Sequence, residues 1–168
     1  AAATSAGGSE RTVCEYCGCR QIAPLAELMD EHMALLDVAS DVEIAIRHRD
    51  HERALTQLKR LNDLLDRHVR REEDGVFTAL RATGEYVDEL AELEQEHDEF
   101  HTDIAALDPA DPEFSAKATA IFRHLSDHVD KEDLGIFPVS VVTLGASGWD
   151  TVTSVHAAQP SFLTERNG

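Results

Sequence analysis

A ten-residue segment occurs twice in this chain, HVRREEDGVF at residues 68–77 and HVDKEDLGIF at 128–137, and no other feature constrains its fold as strongly. The shared His, Val, Glu, Gly and Phe keep the same offsets, so His68 matches His128 and Glu72 matches Glu132. In each copy a histidine and a glutamate stand four residues apart. On an α-helix that spacing stacks the two side chains on one face, with Cβ atoms about 5–6 Å apart. A weaker pair, Glu31-His32 and Glu96-His97, recurs 65 residues apart. Together the repeats predict a pseudo-twofold molecule in which a first helix matches a third and a second matches a fourth.

Apolar spacing predicts those four helices. The first runs from about Pro24, well suited to a first turn, to about Ile46, with Leu25, Leu28, Leu35, Leu36, Ala39, Val42 and Ile46 on its inner stripe. The second runs from about Asp50 to Ala82, with Leu55, Leu58, Leu61, Leu65, Val69, Val76 and Leu80 inward, and Gly84 turns the chain after it. The third spans about Glu85 to Leu107 and turns Leu90, Leu93, Phe100 and Ile104 inward. A loop at 108–112 leads to the fourth, from about Glu113 to Phe137 or a little beyond, with Ile121, Leu125, Val129 and Ile136 inward. Short connections favour antiparallel neighbours, so the expected fold is all-α, an up-down-up-down four-helix bundle over residues 22–144. A leader at 1–21 precedes it. An extension at 145–168 follows, in which Ser147 to Asp150 start one short helix that closes an end of the bundle with Trp149.

Every predicted helix interrupts its apolar stripe with metal-capable side chains. His32 falls between Leu28 and Leu35, and His68 and Glu72 continue the line of Leu61 and Leu65. His97 and His101 lie between Leu93 and Ile104, and His128 and Glu132 follow Leu125. Burying such groups unpartnered costs several kcal/mol for each charged carboxylate, a penalty that metal coordination removes. Imidazoles with bridging carboxylates suit iron better than manganese or zinc. At ~1.5 Å per residue, His68 and the His97/His101 pair sit at similar heights about the turn at Gly84, as do His32 and His68 about a turn near Arg49. His128 lies further into its helix than His101 lies from the end of its own. The segment 108–118 is therefore expected to fold back or overhang. Under the pseudo-twofold, Leu36 takes the place of His101, so one metal has three histidines and the other two, with an open position beside Leu36.

These motifs resemble the hemerythrin-like (HHE cation-binding) family over roughly Pro24 to Leu144. The resemblance implies His97, His101 and His128 on one iron, His32 and His68 on the other, and Glu72 and Glu132 bridging an oxo- or hydroxo-bridged centre of two Fe ions. Asp133 is the alternative last bridge, as in oxygen-carrying members; the repeat favours Glu132. The implied ligand is small, O2, NO or H2O2, in an oxidative or nitrosative stress response. The alternatives are catalase-like or nitric oxide peroxidase turnover, an O2, NO or iron sensor, and a metal-free helical interaction module.

A formal charge of −18 argues against nucleic acid and anionic membrane as partners. No apolar run approaches the roughly 20 residues that span a bilayer, and the opening AAATSAGGSE lacks the basic and apolar regions of a signal peptide, so a soluble, cytoplasmic chain is expected. Cys14, Cys17 and Cys19 form C-x-x-C-x-C, read as reduced thiols in a leader, or else as a disulfide switch or a three-thiolate site. His124 is expected at the rim of the site, His48 and His51 in a solvated turn, and His156 on plain surface.

Overall fold

The structure, a computed structural model, describes residues 18–167, with side chains to residue 165, and contains no strand among them. Helix α1 (Ala23–Arg47) carries Pro24 in its first turn, where a missing N–H costs nothing. The Asp50 carboxylate accepts the backbone N–H of Arg53 at 3.0 Å and caps α2 (His51–Glu72), a contact worth about 1 kcal/mol. A π turn (Glu73–Phe77) then joins α2 to α3 (Thr78–Arg81) without a break. Gly84, at φ 79°, reverses the chain, and no residue with a Cβ adopts that backbone as readily. The return helix is α4 (Val87–Ala105). The last bundle helix repeats the second: α5 (Phe114–Lys131), a π turn (Glu132–Ile136), then α6 (Phe137–Thr143).

Helix α1 packs on α2 and α5, and α4 packs on the same two, which closes a four-helix ring with the expected antiparallel order. Its interior is split in two. Leu35, Val42, Leu58, Leu61, Leu65, Phe100, Phe122 and Leu125 belong to one apolar cluster, and Leu25, Leu28, Val76, Phe77, Leu80, Leu90 and Phe137 to another. The buried histidines and glutamates lie between these clusters along every helix. Each fully buried Leu or Phe contributes about 1.5–3 kcal/mol of transfer free energy, so the polar layer is held from both sides.

One expectation changes. Leu55, expected inward, is 39% exposed. Because α4 ends at Ala105 beside α2, it leaves a cavity of about 250 Å³ lined by Leu55, Leu58, Asn62, Ile104 and Leu107. The short helix expected in the extension, from about Ser147 to before Pro160, is present. It is α7 (Ala146–Ala158), and it packs against the first π turn, α3 and α1. Trp149 packs against the second apolar cluster, and a 3-10 turn (Phe162–Asn167) follows. Cys19, in a 3-10 turn (Cys19–Gln21), is buried in that same cluster; Cys14 and Cys17 lie outside the described residues.

Candidate metal centre

Six of the seven residues singled out as ligands meet at the middle of the bundle. His32 from α1, His68 and Glu72 from α2, and Glu132 from the second π turn place ligand atoms within 4.8 Å of one another, and so do His97, His128 and Glu132. All six are buried, Glu72 and Glu132 completely. The two carboxylates divide their oxygens between the two groups. Glu72 Oε1 lies 3.4 Å from His32 Nε2 and 3.3 Å from His68 Nε2, while its Oε2 lies 3.4 Å from His97 Nε2. Glu132 reverses the pattern, with Oε2 3.0 Å from His32 Nε2, and Oε1 3.4 Å from His97 Nε2 and 3.0 Å from His128 Nε2.

His101 stands apart from this cluster. It is half-buried, and its Nδ1 lies 3.2 Å from Asn62 Oδ1. Asp133 stands behind His32, 2.8 Å from its Nδ1, and does not bridge the two groups. His124 sits at the rim, 40% exposed and tilted on Phe100, with Nε2 3.8 Å from Glu96. His48 and His51 are exposed at the turn between α1 and α2.

Each clustered histidine is oriented from behind by a second carboxylate. Asp133 accepts from Nδ1 of His32 at 2.8 Å, and Glu73 accepts from Nδ1 of His97 at 2.8 Å. Glu31 accepts from His68 at 2.8 Å, and Glu96 from His128 at 2.5 Å. A ring that donates through Nδ1 presents its Nε2 lone pair inward, the arrangement by which carboxylates orient metal-binding histidines. Behind the rings, the Phe of each repeat stacks on a histidine: Phe137 on His32 at 5.7 Å and 3°, Phe77 on His97 at 5.8 Å and 7°.

The sequence offers Asp133 only as an alternative bridge and gives Glu31, Glu73 and Glu96 no part in the site, yet the repeats contain all four. Glu31 and Glu96 each precede a histidine of the weaker pair, and Glu73 and Asp133 each follow the conserved-offset glutamate of the stronger one. The π turns add one residue to the helical repeat at those last positions, which swings Glu73 and Asp133 toward the neighbouring helix; such turns concentrate at functional sites. His156 was also misplaced. It is not plain surface: its side chain is 7% exposed, with Nδ1 3.2 Å from Glu27, because α7 lies over the first π turn.

The centre is electrostatically out of balance without a cation. His32 Nε2, His97 Nε2 and both oxygens of Glu72 and of Glu132 are buried without a hydrogen-bond partner. Burial pushes the His32 and His97 rings down, but the carboxylates around them outweigh it and hold both well above the ordinary histidine value, Asp133, Glu132 and Glu72 for His32 and Glu132, Glu72 and Glu73 for His97. His68 rises for the same reason, against burial, through Glu72 and Glu31. Burial pushes Glu72 up, and the charge of His68 with the close approach of His32 and His97 brings it well below the carboxylate range. Glu31, also raised by burial, is brought down to about 2 by His68, Ser161 and Arg71. The carboxylates therefore demand positive charge, which protons supply on the rings or a metal cation supplies in their place. Imidazole and carboxylate donors with orphaned inward atoms fit such a cation.

No helix of the described residues is long and apolar enough to cross a membrane. No curated protein and no solved structure matches the chain. One family does: the model of the hemerythrin HHE cation-binding domain matches residues 23–140, from the start of α1 into α6 and across every residue of the cluster. With most of its length matched and a buried His/Glu cluster at the centre, the chain belongs to the hemerythrin HHE cation-binding domain family.

Proposed function

We propose that this chain is a non-haem di-iron protein that binds a small ligand, O2, NO or H2O2, in an oxidative or nitrosative stress response. One observation carries the two-metal reading: each of Glu72 and Glu132 offers one oxygen to the His32/His68 group and the other to the His97/His128 group. A carboxylate serving one ion has no use for that division. His32 and His68 would hold the first ion. His97, His128 and His101 would hold the second, the last turning in from its contact with Asn62. Glu72 and Glu132 would bridge them. When bound, the iron pair supplies an open coordination position and a redox couple. The protein supplies a dry wall of Leu36, Leu65 and Phe100, which keeps bulk water from a small apolar guest.

A second reading, peroxide or nitric oxide turnover, is favoured by the two carboxylates that join buried rings to solvent. Glu73 and Asp133 have side chains 34% and 20% exposed, so each can accept a ring proton on one side and exchange it with water on the other. Measuring iron per chain and then mixing the loaded protein with each ligand tests both. Two irons and a reversible spectral change with O2 or NO support binding, whereas sustained oxygen evolution from peroxide supports turnover. A chain that holds no iron after growth in iron-replete medium would sink both.

A further inference from the structure

The pseudo-twofold continues one layer beyond the orienting carboxylates, and there the two halves part. Behind Glu31 stands Arg71, whose Nη1 donates to Glu31 and whose Nη2 donates to Glu27 at 2.5 Å. Behind Glu96, at the equivalent place in the repeat, stands Lys131, which donates to Glu96 and lies 3.1 Å from Glu92. The chemistry is the same, one cation shared by two glutamates a helical turn apart. The surroundings are not. The Arg71 side chain is 2% exposed and that of Lys131 is 47% exposed.

The C-terminal extension makes the difference. His156 of α7 places Nδ1 3.2 Å from Glu27, Gln159 donates to Asp74 at 2.7 Å, and buried Ser161 helps hold the Glu31 carboxyl down. Arg67 grips Glu165 with both guanidinium nitrogens, at 2.8 and 2.9 Å. A Cβ added at Gly75 would touch His156 at 3.7 Å, while one at the equivalent Gly135 would meet nothing within 4 Å. Where Asp74 is tied down by Gln159, its counterpart Leu134 is 59% exposed. The family domain ends at residue 140, so every contact of this cover comes from sequence outside it.

We infer that the C-terminal extension is a clasp for one half of the centre: it buries Arg71, and through Glu31 makes Arg71 the positioning residue that fixes the His68 ring for the first cation. This rests on the two-metal reading above. On that reading the first position has Leu36 where the second would take His101, so it would have one imidazole fewer. A desolvated guanidinium-carboxylate pair is stronger and more rigid than an exposed ammonium-carboxylate pair, and it holds the remaining ring in one orientation. The second position lacks the cover and would rely on His101 instead.

The test uses the full chain loaded with Co(II) and challenged with a chelator, with Arg71→Gln, Arg71→Lys, His156→Ala and Lys131→Gln beside the parent. The parent should hold two ions. In Arg71→Gln one of the two should leave about tenfold faster or more, the scale on which partners behind metal-binding histidines act, with Arg71→Lys partly restoring it. His156→Ala keeps Arg71 and only loosens the cover, so it carries the test if Arg71→Gln fails to fold. Its cobalt-shifted His68 N–H signal should exchange faster with solvent while those of the other ligand histidines stay unchanged. Lys131→Gln should release both ions as the parent does. Equal acceleration in Lys131→Gln and Arg71→Gln, or parent-like release and N–H exchange in Arg71→Gln and His156→Ala, would overturn the clasp. A parent that binds fewer than two ions would instead overturn the two-metal reading beneath it.

Discussion

Glu72 and Glu132 share His32: its Nε2 lies 3.4 Å from Oε1 of the first and 3.0 Å from Oε2 of the second. Neither carboxylate has a hydrogen-bond donor for its buried oxygens, so the pair is assembled for a positive charge placed between them. That relationship, with its mirror at His97, sets the expectations below.

Removing either carboxylate should empty the centre. Glu72→Ala and Glu132→Ala are each expected to lose iron, as is His101→Ala, while His48→Ala at the exposed turn keeps the parent content. Metal analysis of the purified proteins decides it. Equal iron loss in His48→Ala would show that the ligand set is wrong.

The carboxylates behind the rings should matter almost as much as the ligands. Asp133→Asn and Glu73→Gln each leave the histidine in place but weaken its orientation and basicity, and metal affinity should fall about 10–100-fold. Competition with a chelator of known affinity measures this. Unchanged affinity would mean that packing alone orients His32 and His97.

Acid and base should act in opposite senses on the empty and loaded chains. In the empty chain His32, His68 and His97 are raised above their ordinary 6.5, so their stabilisation is fully present below 6.5 and lost as pH climbs through the raised values. Glu72 and Glu132 are depressed below their ordinary 4.5, so theirs is fully present above 4.5 and lost as pH falls through the depressed values. The metal-free chain should therefore be most stable between pH 4.5 and 6.5. Cation binding must displace the ring protons, so affinity for iron should rise as pH rises through that upper limit. Urea unfolding of the stripped chain across pH, beside chelator competition, separates the two trends; a stripped chain that only gains stability above 6.5 contradicts the argument.

The stacked phenylalanines are structural as well as local to the site. Phe77 and Phe137 are fully buried, and truncating either to Ala should cost about 3–5 kcal/mol in urea unfolding of the metal-free chain. Loaded protein should show the added loss of a wall behind His97 or His32, read as faster metal release.

Much of this was written in local periodicity. The spacing of Leu25 to Ile46, or of Leu58 to Leu80, names the inner face of a helix whatever it packs against. Once His68/Glu72 and His128/Glu132 fall on that face in duplicate, a buried polar layer follows. Leu55 escaped the same reasoning because its exposure depends on where a different helix, α4, ends.

By itself, then, the sequence determined the bundle helices, their order, and the six side chains that meet at the centre, since each depends on a repeat within one helix. Tertiary structure alone decided which carboxylate stands behind which ring, that His101 rests against Asn62, and that α7 buries Arg71 while Lys131 stays in water. Those outcomes turn on the rotation of one helix against another and on which half a distant segment covers. Neither quantity leaves a period in the chain.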